Sequence, residues 1–506
     1  MTAVATDRPV HRPAARPEHF DVLVVGAGLS GVGAAYHLQE RCPGRSYAIF
    51  EGRAAMGGTW DLFRYPGVRS DSDMHTLGYR FRPWENPKAI ADGPAIKQYI
   101  EETARAYGID RKVRYEHRVV RAEWSSAEAR WTVDVEVGPG RARAQVSCNF
   151  LYACTGYYNY SRGHAPTWPG MEAFAGRVVH PQHWPEDLDY AGKRVVVIGS
   201  GATAVTLVPA MAERAAHVTM LQRSPTYIVT RPTQDRIANA LHRRLPAGVA
   251  HAATRWKNVL LAIFFYGVAR RRPEVMKRLI ASGVRKELGA DYDVDTHFSP
   301  RYNPWDERVC VVPDADLFAA LRSGKASVVT DHIERFTGRG IRLRSGAELE
   351  ADVVVTATGL TLEIFSGMAL VVDGRPVDLS QTVAYKGMMY SGVPNLASAF
   401  GYTNASWTLK CDLVAEYVCR LLNTMARRGY VECVPRVPDG GMDVEPVLDF
   451  TSGYVQRALA SLPRQGARHP WRLYQNYARD LVTFRYGRVE DGAMAFRGGR
   501  PTDAPA

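Results

Sequence analysis

The first clear change of periodicity in the chain separates a short apolar run from a helix-like pattern. The apolar residues 22–25 lead directly into a glycine-rich turn at residues 26–31, and an alanine-rich pattern continues to Glu40. A short β-branched run that ends at glycines predicts a buried strand, and the pattern after it predicts a helix. We therefore predict a strand, turn and helix unit at residues 21–40.

The turn of this unit has the spacing of a dinucleotide-binding loop. Gly26 and Gly28 permit a tight turn and the close approach of a pyrophosphate, while Gly31 permits close packing of the helix on the strand. A second strand-like run, residues 47–50, ends in Glu51. A carboxylate at this distance accepts hydrogen bonds from an adenosine ribose, so the predicted ligand is FAD or NAD.

A second unit of the same kind begins at Lys193, where the run 194–198 leads into a glycine turn at residues 199–204 and another helix-like pattern. The next strand-like run, residues 217–222, ends without a carboxylate and continues into Arg223. A guanidinium holds a 2′-phosphate with charge-assisted hydrogen bonds, so we predict NADPH here, unless Arg223 is only a solvated surface charge. The residues predicted to bind this second dinucleotide are Ile198, Gly199, Ser200, Gly201, Ala202, Thr203, Ala204, Arg223 and Ser224.

Two further strand-like runs, residues 151–156 and 353–359, each end in a Thr-Gly break. They resemble the paired crossings that bracket an inserted NADPH domain in flavoproteins with two dinucleotide sites. The predicted fold is α/β with two Rossmann-like domains, the first of them discontinuous. The expected boundaries are a disordered tail at 1–19, an FAD domain at 20–158 and 360–496, and an NADPH domain at 159–359 with a basic helical insertion at 229–305.

Positive charge is concentrated in this insertion. The net charge is +12, and residues 229–288 hold thirteen Lys and Arg against three acidic residues, which argues against a nucleic-acid partner. The segment includes the apolar run 259–269, which is too short to span a bilayer. It is either a buried helix with a solvated basic border or a site of weak peripheral contact with anionic lipid.

The seven cysteines form no CxxC pair and show no disulfide-like spacing, which indicates a reducing compartment. The first nineteen residues lack the apolar stretch of a signal peptide. We therefore expect a cytoplasmic protein, peripherally membrane-associated if the basic segment contacts lipid.

Residues 174–185, between the two units, have the spacing Phe-x-Gly-xxx-His-xxx-Trp-Pro. This spacing resembles the fingerprint of Baeyer–Villiger monooxygenases, flavoenzymes that insert one oxygen atom of O2 beside a carbonyl. The alternatives are a linker braced by prolines, or a metal site at His180 and His183. The sequence offers no third ligand nearby, and no metal site is predicted.

The resemblance extends to the segment GGTWDLFRYPGVRSD at residues 57–71 and is strongest to the ethionamide-activating branch of the family. It implies that this segment lines the FAD and reaches the nicotinamide, and that Asp71 lies beside a catalytic arginine. Asp71 could also be a helix cap. The resemblance implies further that the N-terminus of a helix over residues 411–425 points at the flavin. The implied FAD-domain cofactor residues are Gly26, Gly28, Ser30, Gly31, Glu51, Gly58, Thr59, Trp60, Asp61, Arg69, Ser70, Asp71 and Val119.

The implied catalytic arginine is Arg308, within an Arg-x-Cys context. A permanently charged donor suits a flavin peroxide anion, although a salt-bridged structural arginine is the alternative. The chain departs from the family pattern at Glu307, where a lysine that helps to bind the NADPH phosphate is common.

The implied reaction starts with reduction of FAD by NADPH, after which O2 adds at flavin C4a and the peroxide attacks a ketone to give an ester or lactone. Sulfides and thioamides are further candidate substrates. The nearest alternative is an N- or S-hydroxylating flavin monooxygenase, against which Trp184, Pro185 and Arg308 argue. A disulfide reductase would need a cysteine pair, and a membrane-recruited nucleotide-binding interaction protein would have no activity.

Overall fold

The computed structural model describes residues 17–498, so most of the predicted tail lies outside the described residues. The helices are α1 (Leu29–Arg41), α2 (Thr59–Leu62), α3 (Met74–Leu77), α4 (Gly93–Ala106), α5 (Ala202–Ala212), α6 (Arg236–Arg244), α7 (Ala247–Arg271), α8 (Pro273–Leu288), α9 (Val294–Phe298), α10 (Asp316–Arg322), α11 (Trp407–Arg428), α12 (Gly453–Ala458) and α13 (Tyr477–Tyr486).

The strands through the second dinucleotide unit are β1 (Glu18–Val25), β2 (Tyr47–Phe50), β3 (Val113–Arg114), β4 (His117–Ser125), β5 (Arg130–Val137), β6 (Ala142–Ala153), β7 (Arg177–Val179), β8 (Arg194–Ile198), β9 (His217–Gln222) and β10 (Ile228–Arg231). The later strands are β11 (Cys310–Pro313), β12 (Ala326–Thr330), β13 (Ile333–Thr337), β14 (Gly340–Leu343), β15 (Glu348–Glu350), β16 (Val353–Thr356), β17 (Ala369–Val372), β18 (Arg375–Pro376), β19 (Ala384–Tyr385), β20 (Met389–Tyr390), β21 (Leu396–Ser398), β22 (Tyr430–Pro435), β23 (Val444–Pro446), β24 (Arg464–Gly466) and β25 (Met494–Gly498).

One sheet is built from both ends of the chain. Its order is β18-β17-β4-β5-β6-β1-β2-β3, with β21 also paired to β6. Strand β1 is parallel to β2 and β6, and its residues Val22, Leu23 and Val24 are fully buried. Because β17 and β21 join this sheet from beyond residue 360, the prediction of a discontinuous first domain is confirmed. The boundaries at residues 158 and 360 stay predictions.

The second sheet has the order β12-β9-β8-β16-β7 and is parallel throughout. Strand β8 is central and apolar, as a parallel sheet covered on both faces requires. Its neighbour β16 comes more than 150 residues later in the chain, and helix α5 follows β8 directly. The predicted second Rossmann-like domain is thereby confirmed.

Three predicted element boundaries need correction. Strand β1 starts at Glu18, so residues 18 and 19 belong to a strand and not to the tail. The basic insertion begins with a strand, because β10 pairs in parallel with β11, and its helices start only at Arg236. Helix α11 starts at Trp407, four residues earlier than predicted, with Ser406 at its N-cap.

The apolar run 259–269 lies in α7 but is not a buried helix. Val259 and Ala269 are buried, whereas Leu260 and Phe264 are 56% and 61% exposed. Packing on one side and solvent on the other explain this difference, because helix α7 packs against α3 of the first domain and against its neighbours α6 and α8, and leaves its remaining side exposed. Within residues 17–498, no helix has the length and apolar character needed to cross a membrane.

Candidate active site

The first glycine turn is closed by the backbone that follows β6. Gly26 has a φ of 103°, and a Cβ atom there would lie 2.6 Å from the carbonyl oxygen of Cys154. Helix α1 then begins with Gly28 as its N-cap and without a side-chain cap, and it carries Ser30 and Gly31 in its first turn. Its first N–H groups are therefore available to an anion, so the turn fits a pyrophosphate.

Glu51 is fixed at the edge of this turn, immediately after β2. Its carboxylate accepts hydrogen bonds from the backbone N–H of Ala27 at 2.8 Å and from that of Arg53 at 2.9 Å. Burial raises the pKa of Glu51, and the two backbone hydrogen bonds oppose that rise. Val119 is buried in β4, whose first residue, His117, donates its N–H to the carbonyl oxygen of Glu51 at 2.8 Å. The carboxylate is thus fixed beside the first glycine turn, and its contact with a ribose stays a prediction.

The second glycine turn repeats the geometry of the first. Gly199 has a φ of 134°, and a Cβ atom there would lie 2.3 Å from the carbonyl oxygen of Ala357, just after β16. Helix α5 begins after Gly201, again without a side-chain cap. The second turn therefore also fits a pyrophosphate. The other predicted residues of this turn and of the first helical turn are Ile198, Ser200, Ala202, Thr203 and Ala204.

The edge of the second turn carries charges of both signs. Arg223 and Ser224 are exposed just after β9, and the hydroxyl of Ser200 donates to the carbonyl oxygen of Ser224 at 3.2 Å. Burial raises the pKa of Glu307, while the nearby charge of Arg223 acts to lower it. The cation predicted to bind a 2′-phosphate therefore has a carboxylate as its neighbour, which weakens the local positive potential.

The loop after β2 brings a second segment against the first glycine turn. A Cβ atom on Gly58 would lie 3.2 Å from Cα of Gly28. Thr59 and Trp60 follow at the start of α2, both partly exposed. Asp61 is buried, and its carboxylate pairs with Lys97 at 2.7 Å and with Arg53. Asp61 thus anchors the loop to α4, and its contact with the cofactor stays a prediction.

Arg69 and Ser70 hold the end of this loop. Arg69 pairs with Asp316 at the start of α10, in the second domain. Ser70 is buried, and its backbone N–H donates to the carbonyl oxygen of Ala91 at 3.0 Å. The loop is therefore tied to both domains.

Asp71 and Arg308 meet at the junction of the two domains. Asp73 caps α3, since its carboxylate accepts the N–H of Thr76 at 3.0 Å, so the alternative that Asp71 is the cap is wrong. Oδ2 of Asp71 lies 4.0 Å from Nη1 of Arg308, and Nη2 of Arg308 donates to the hydroxyl of Tyr157 at 3.2 Å. With 35% of its side chain exposed, Arg308 is held by two partners and keeps an open edge.

Tyr157 is a site residue that the sequence did not reveal. Its ring stacks on Trp407, with centroids 4.9 Å apart and an interplanar angle of 19°. Nε1 of Trp407 donates to the hydroxyl of Ser30 at 2.9 Å, so contacts run from Arg308 to the first glycine turn. The N-terminus of α11 therefore lies beside that turn. The position of Tyr157 directly after the Thr-Gly break was the only sequence signal for its role. That signal was not enough, because the partners of Tyr157 come from distant segments.

Aromatic side chains enclose a small cavity beside Arg308. Its lining includes Tyr157, Phe400, Tyr402, Trp407, Phe450 and Tyr454. A second cavity of about 210 Å³ shares Thr403, Leu448 and Phe450 with the first and reaches Tyr266 and Arg270 of α7. None of these residues was predicted, because they come from segments far apart in the chain. The wall of the small cavity is largely aromatic, whereas the second cavity also has charged side chains in its wall, among them Arg270, Asp449 and Arg472.

His180 of the fingerprint is tightly packed just after β7 in the second domain. Its Nδ1 accepts the backbone N–H of Gln182 at 3.2 Å, and a Cβ atom on Gly163 would lie 2.0 Å from its ring. Burial lowers the pKa of His180. In the described part of the chain, no group of three or more His, Cys, Asp or Glu side chains could hold a metal ion.

Comparison with known proteins identifies the family. The family model described as "Flavin-binding monooxygenase-like" matches residues 83–251, and the model described as "NAD(P)-binding Rossmann-like domain" matches residues 24–88. The FAD-containing monooxygenase EthA of Mycobacterium tuberculosis is 57% identical over 480 residues, which cover 95% of this chain and 98% of EthA. The chain belongs to the FAD-containing monooxygenases. The resemblance to the ethionamide-activating branch is thereby confirmed.

Solved structures confirm the fold of this FAD-containing monooxygenase. An oxidized steroid monooxygenase bound to NADP superposes with a TM-score of 0.73 at 22% identity, over 95% of this chain and all of that chain. A cyclohexanone monooxygenase bound to ε-caprolactone gives a TM-score of 0.70 at 19% identity, with coverage of 95% and 100%. The two Rossmann-like domains are therefore arranged as in these enzymes.

The packing of the first glycine turn predicts the effect of one added methyl group. Gly26→Ala would place Cβ against the carbonyl oxygen of Cys154 and push the turn outward. We expect FAD affinity to fall at least ~10-fold, equivalent to ~1.4 kcal/mol. The measurement is bound flavin per purified chain, by absorbance. Gly44→Ala is the matched control, because Gly44 has a φ of 88° and nothing within 4 Å of its added Cβ. Equal flavin content in both variants would contradict the prediction.

Proposed function

We propose that this FAD-containing monooxygenase uses NADPH and O2 to insert one oxygen atom between the carbonyl carbon of a ketone and a neighbouring carbon. The product is an ester or lactone, and the second oxygen atom leaves as water with electrons from NADPH. The observation that carries the proposal is the placement of Arg308. It joins Asp71 and Tyr157 beside an aromatic cavity where the two dinucleotide domains meet.

The two glycine turns supply the cofactor sites in this proposal. Gly26, Gly28, Ser30, Gly31 and Glu51 would hold FAD, with the loop at residues 58–71 covering it. The turn at residues 198–204, together with Arg223 and Ser224, would hold NADPH. Reduced FAD supplies the chemistry that activates O2. The chain's own part is to bind the two cofactors, to bring their domains together and to exclude bulk water from the cavity.

Arg308 is the proposed catalytic residue. A guanidinium cannot lose its proton near neutral pH, so it offers N–H donors to negative charge that develops on oxygen. Asp71 and Tyr157 fix the plane of the guanidinium while leaving one edge open to the cavity. Tyr157 is the proposed positioning residue, because it acts on the reacting atoms through Arg308.

The relatives support this proposal over its rivals. EthA is a FAD-containing monooxygenase, and the two structural neighbours carry NADP or a lactone. Arg308 and the Trp184-Pro185 pair favour ketone oxygenation over N- or S-hydroxylation as the main activity. Sulfides and thioamides are secondary candidate substrates. We place the enzyme in the cytoplasm, with at most peripheral membrane contact and with no nucleic-acid partner.

Replacing Arg308 distinguishes a catalytic role in ester formation from a structural role. Arg308→Ala should still allow NADPH to reduce the flavin, since hydride transfer depends mainly on proximity. Ester formation should fall at least ~100-fold, the scale for removal of one preorganised donor, and NADPH oxidation should yield hydrogen peroxide instead. Arg308→Lys should rescue little, because an ammonium lacks the planar fork.

The control for Arg308 is Arg301→Ala, an exposed arginine on the same loop. Product is measured by gas chromatography and peroxide by a coupled assay. If Arg308→Ala forms ester at the unaltered rate, Arg308 is structural and the proposed function loses its main support.

Tyr157→Phe tests the positioning role. The variant keeps the ring that stacks on Trp407 and removes only the hydroxyl that Arg308 contacts. A hydrogen bond to a charged group contributes ~1.5 kcal/mol or more, so kcat for ester formation should fall about tenfold, with little change in ketone KM. The fraction of NADPH diverted to peroxide should rise. A variant that lost activity only through unfolding would show reduced flavin content instead.

Replacing the two charged residues at the second turn, Arg223 and Glu307, should change the KM for NADPH in opposite directions. Arg223→Ala should raise the KM for NADPH and spare NADH, because the lost phosphate contact is charge-assisted. Glu307→Lys should lower the KM for NADPH, since it replaces a carboxylate near Arg223 with a cation. Steady-state kinetics with both coenzymes check this. Equal use of NADPH and NADH by the unaltered enzyme would contradict the assignment of this site.

A further inference from the structure

Exposed apolar side chains are concentrated on the helical insertion. Fourteen large hydrophobic residues in the described chain are exposed, and ten of them lie between residues 237 and 279. We call these ten residues the apolar face: Ile237, Leu245, Val249, Trp256, Leu260, Leu261, Phe264, Phe265, Val275 and Leu279. A contiguous exposed apolar surface on a folded domain marks a place of interaction.

The apolar face has helical regularity. Val249, Trp256, Leu260 and Phe264 recur along α7 at intervals of seven, four and four residues, which places them on one side of the helix. Phe264 is 61% exposed and Leu260 is 56% exposed. These side chains therefore form an exposed ridge, within which Trp256 also contacts Tyr477 of α13, with ring centroids 5.8 Å apart.

The opposite side of α7 is bound firmly to the first domain. Arg255 is buried, and its Nη1 donates to the carbonyl oxygens of His75 at 2.9 Å and Gly78 at 3.0 Å. Nδ2 of Asn258 donates to Asp73 at 2.8 Å. These hydrogen bonds fix one side of α7 to the first domain, so the ridge on its other side stays exposed.

Exposed arginines border the apolar face at both ends of α7. Arg243 and Arg244 precede the helix, and Arg271 and Arg272 close it. These four arginines take part in no salt bridge within residues 17–498. Arg270, by contrast, pairs with Asp306 at 2.8 Å. An anionic bilayer matches this arrangement, because its acyl chains can surround the apolar side chains and its phosphates can pair with the guanidinium groups.

The second cavity lies at the edge of this surface. Tyr266 and Arg270 of α7 form one wall, and Thr403, Leu448 and Phe450 connect the cavity with the small one beside Arg308. The second cavity, whose wall also includes Asp449 and Arg472, therefore adjoins both the C-terminal end of α7 and the small cavity beside Arg308.

We propose that the apolar face docks the protein onto an anionic membrane surface, and that a lipophilic ketone dissolved in the bilayer enters through the second cavity. The entry route rests on the proposed function, whereas the docking does not. A second copy of the chain is a poorer occupant, because a twofold contact through this face would bring the arginine clusters together. Docking is peripheral, since no described helix spans a bilayer.

The test for docking is co-sedimentation of the full-length, FAD-loaded protein with vesicles. Phosphatidylcholine vesicles with one third phosphatidylglycerol should bind the protein at low salt, pure phosphatidylcholine vesicles should bind it at least ~10-fold less, and high salt should release it. The double variant Leu260→Ser, Phe264→Ser should bind anionic vesicles at least ~10-fold more weakly. Arg271→Ser, Arg272→Ser should lose the preference for anionic lipid.

Val482→Ser, Tyr486→Ser is the matched control, because Val482 and Tyr486 are 59% and 74% exposed on α13 and do not belong to the insertion. Its binding should equal that of the unaltered protein. Docking is overturned if the unaltered protein stays in the supernatant, or if the control and the Leu260, Phe264 variant bind alike. It is also overturned if the Leu260, Phe264 variant only converts a dimer to a monomer in sedimentation velocity.

The entry route has a separate readout. The Leu260, Phe264 variant should oxidise a water-soluble ketone at the unaltered rate and a long-chain 2-ketone held in anionic vesicles at least ~10-fold more slowly. Equal rates on the vesicle-bound ketone would overturn the route. If the unaltered protein binds vesicles and oxidises neither ketone, the proposed function fails while the docking surface stands.

Discussion

The hydrogen bond between Arg308 and Tyr157 joins groups from two different domains. Arg308 belongs to the segment that leads into β11, whereas Tyr157 follows β6 in the first sheet. Stacking of Tyr157 on Trp407, and the hydrogen bond from Trp407 to Ser30, continue this contact to the first glycine turn. These contacts hold the guanidinium beside the first domain, although its own backbone lies in the other domain. The packing of the domain junction therefore decides the geometry of the site.

The two glycine turns explain why so much of the fold was readable from the sequence. In each turn the first glycine lies under the carbonyl oxygen of a residue just after a crossing strand, Cys154 in one case and Ala357 in the other. A side chain would collide there, and the positive φ excludes most residues, so the requirement leaves a visible glycine in the sequence. Apolar runs before the glycines mark buried parallel strands in the same direct way.

Other features could not be read because they depend on contacts between distant segments. Asp71 and Asp73 are equally plausible helix caps by type, and only the backbone path gives the cap to Asp73 and leaves Asp71 beside Arg308. Tyr157 gains its role from Trp407, 250 residues later. The run 259–269 was ambiguous because composition does not tell which side of a helix is covered. The adjacent residues Val259, which is buried, and Leu260, which is exposed, show which side of α7 is covered.

Helix α7 links these observations physically. It belongs to the insertion of the second domain, yet Arg255 is bonded to backbone carbonyls of the first domain, and its Nη2 lies 3.8 Å from Asp412 of α11. Moving the helix away would break the hydrogen bonds that Arg255 donates to the carbonyl oxygens of His75 and Gly78, and hydrogen bonds from a charged group contribute measurably to stability. Helix α7 is therefore fixed to the first domain, although it belongs in the chain to the insertion of the second. This attachment also holds Tyr266 and Arg270 beside Leu448 and Phe450 in the wall of the second cavity.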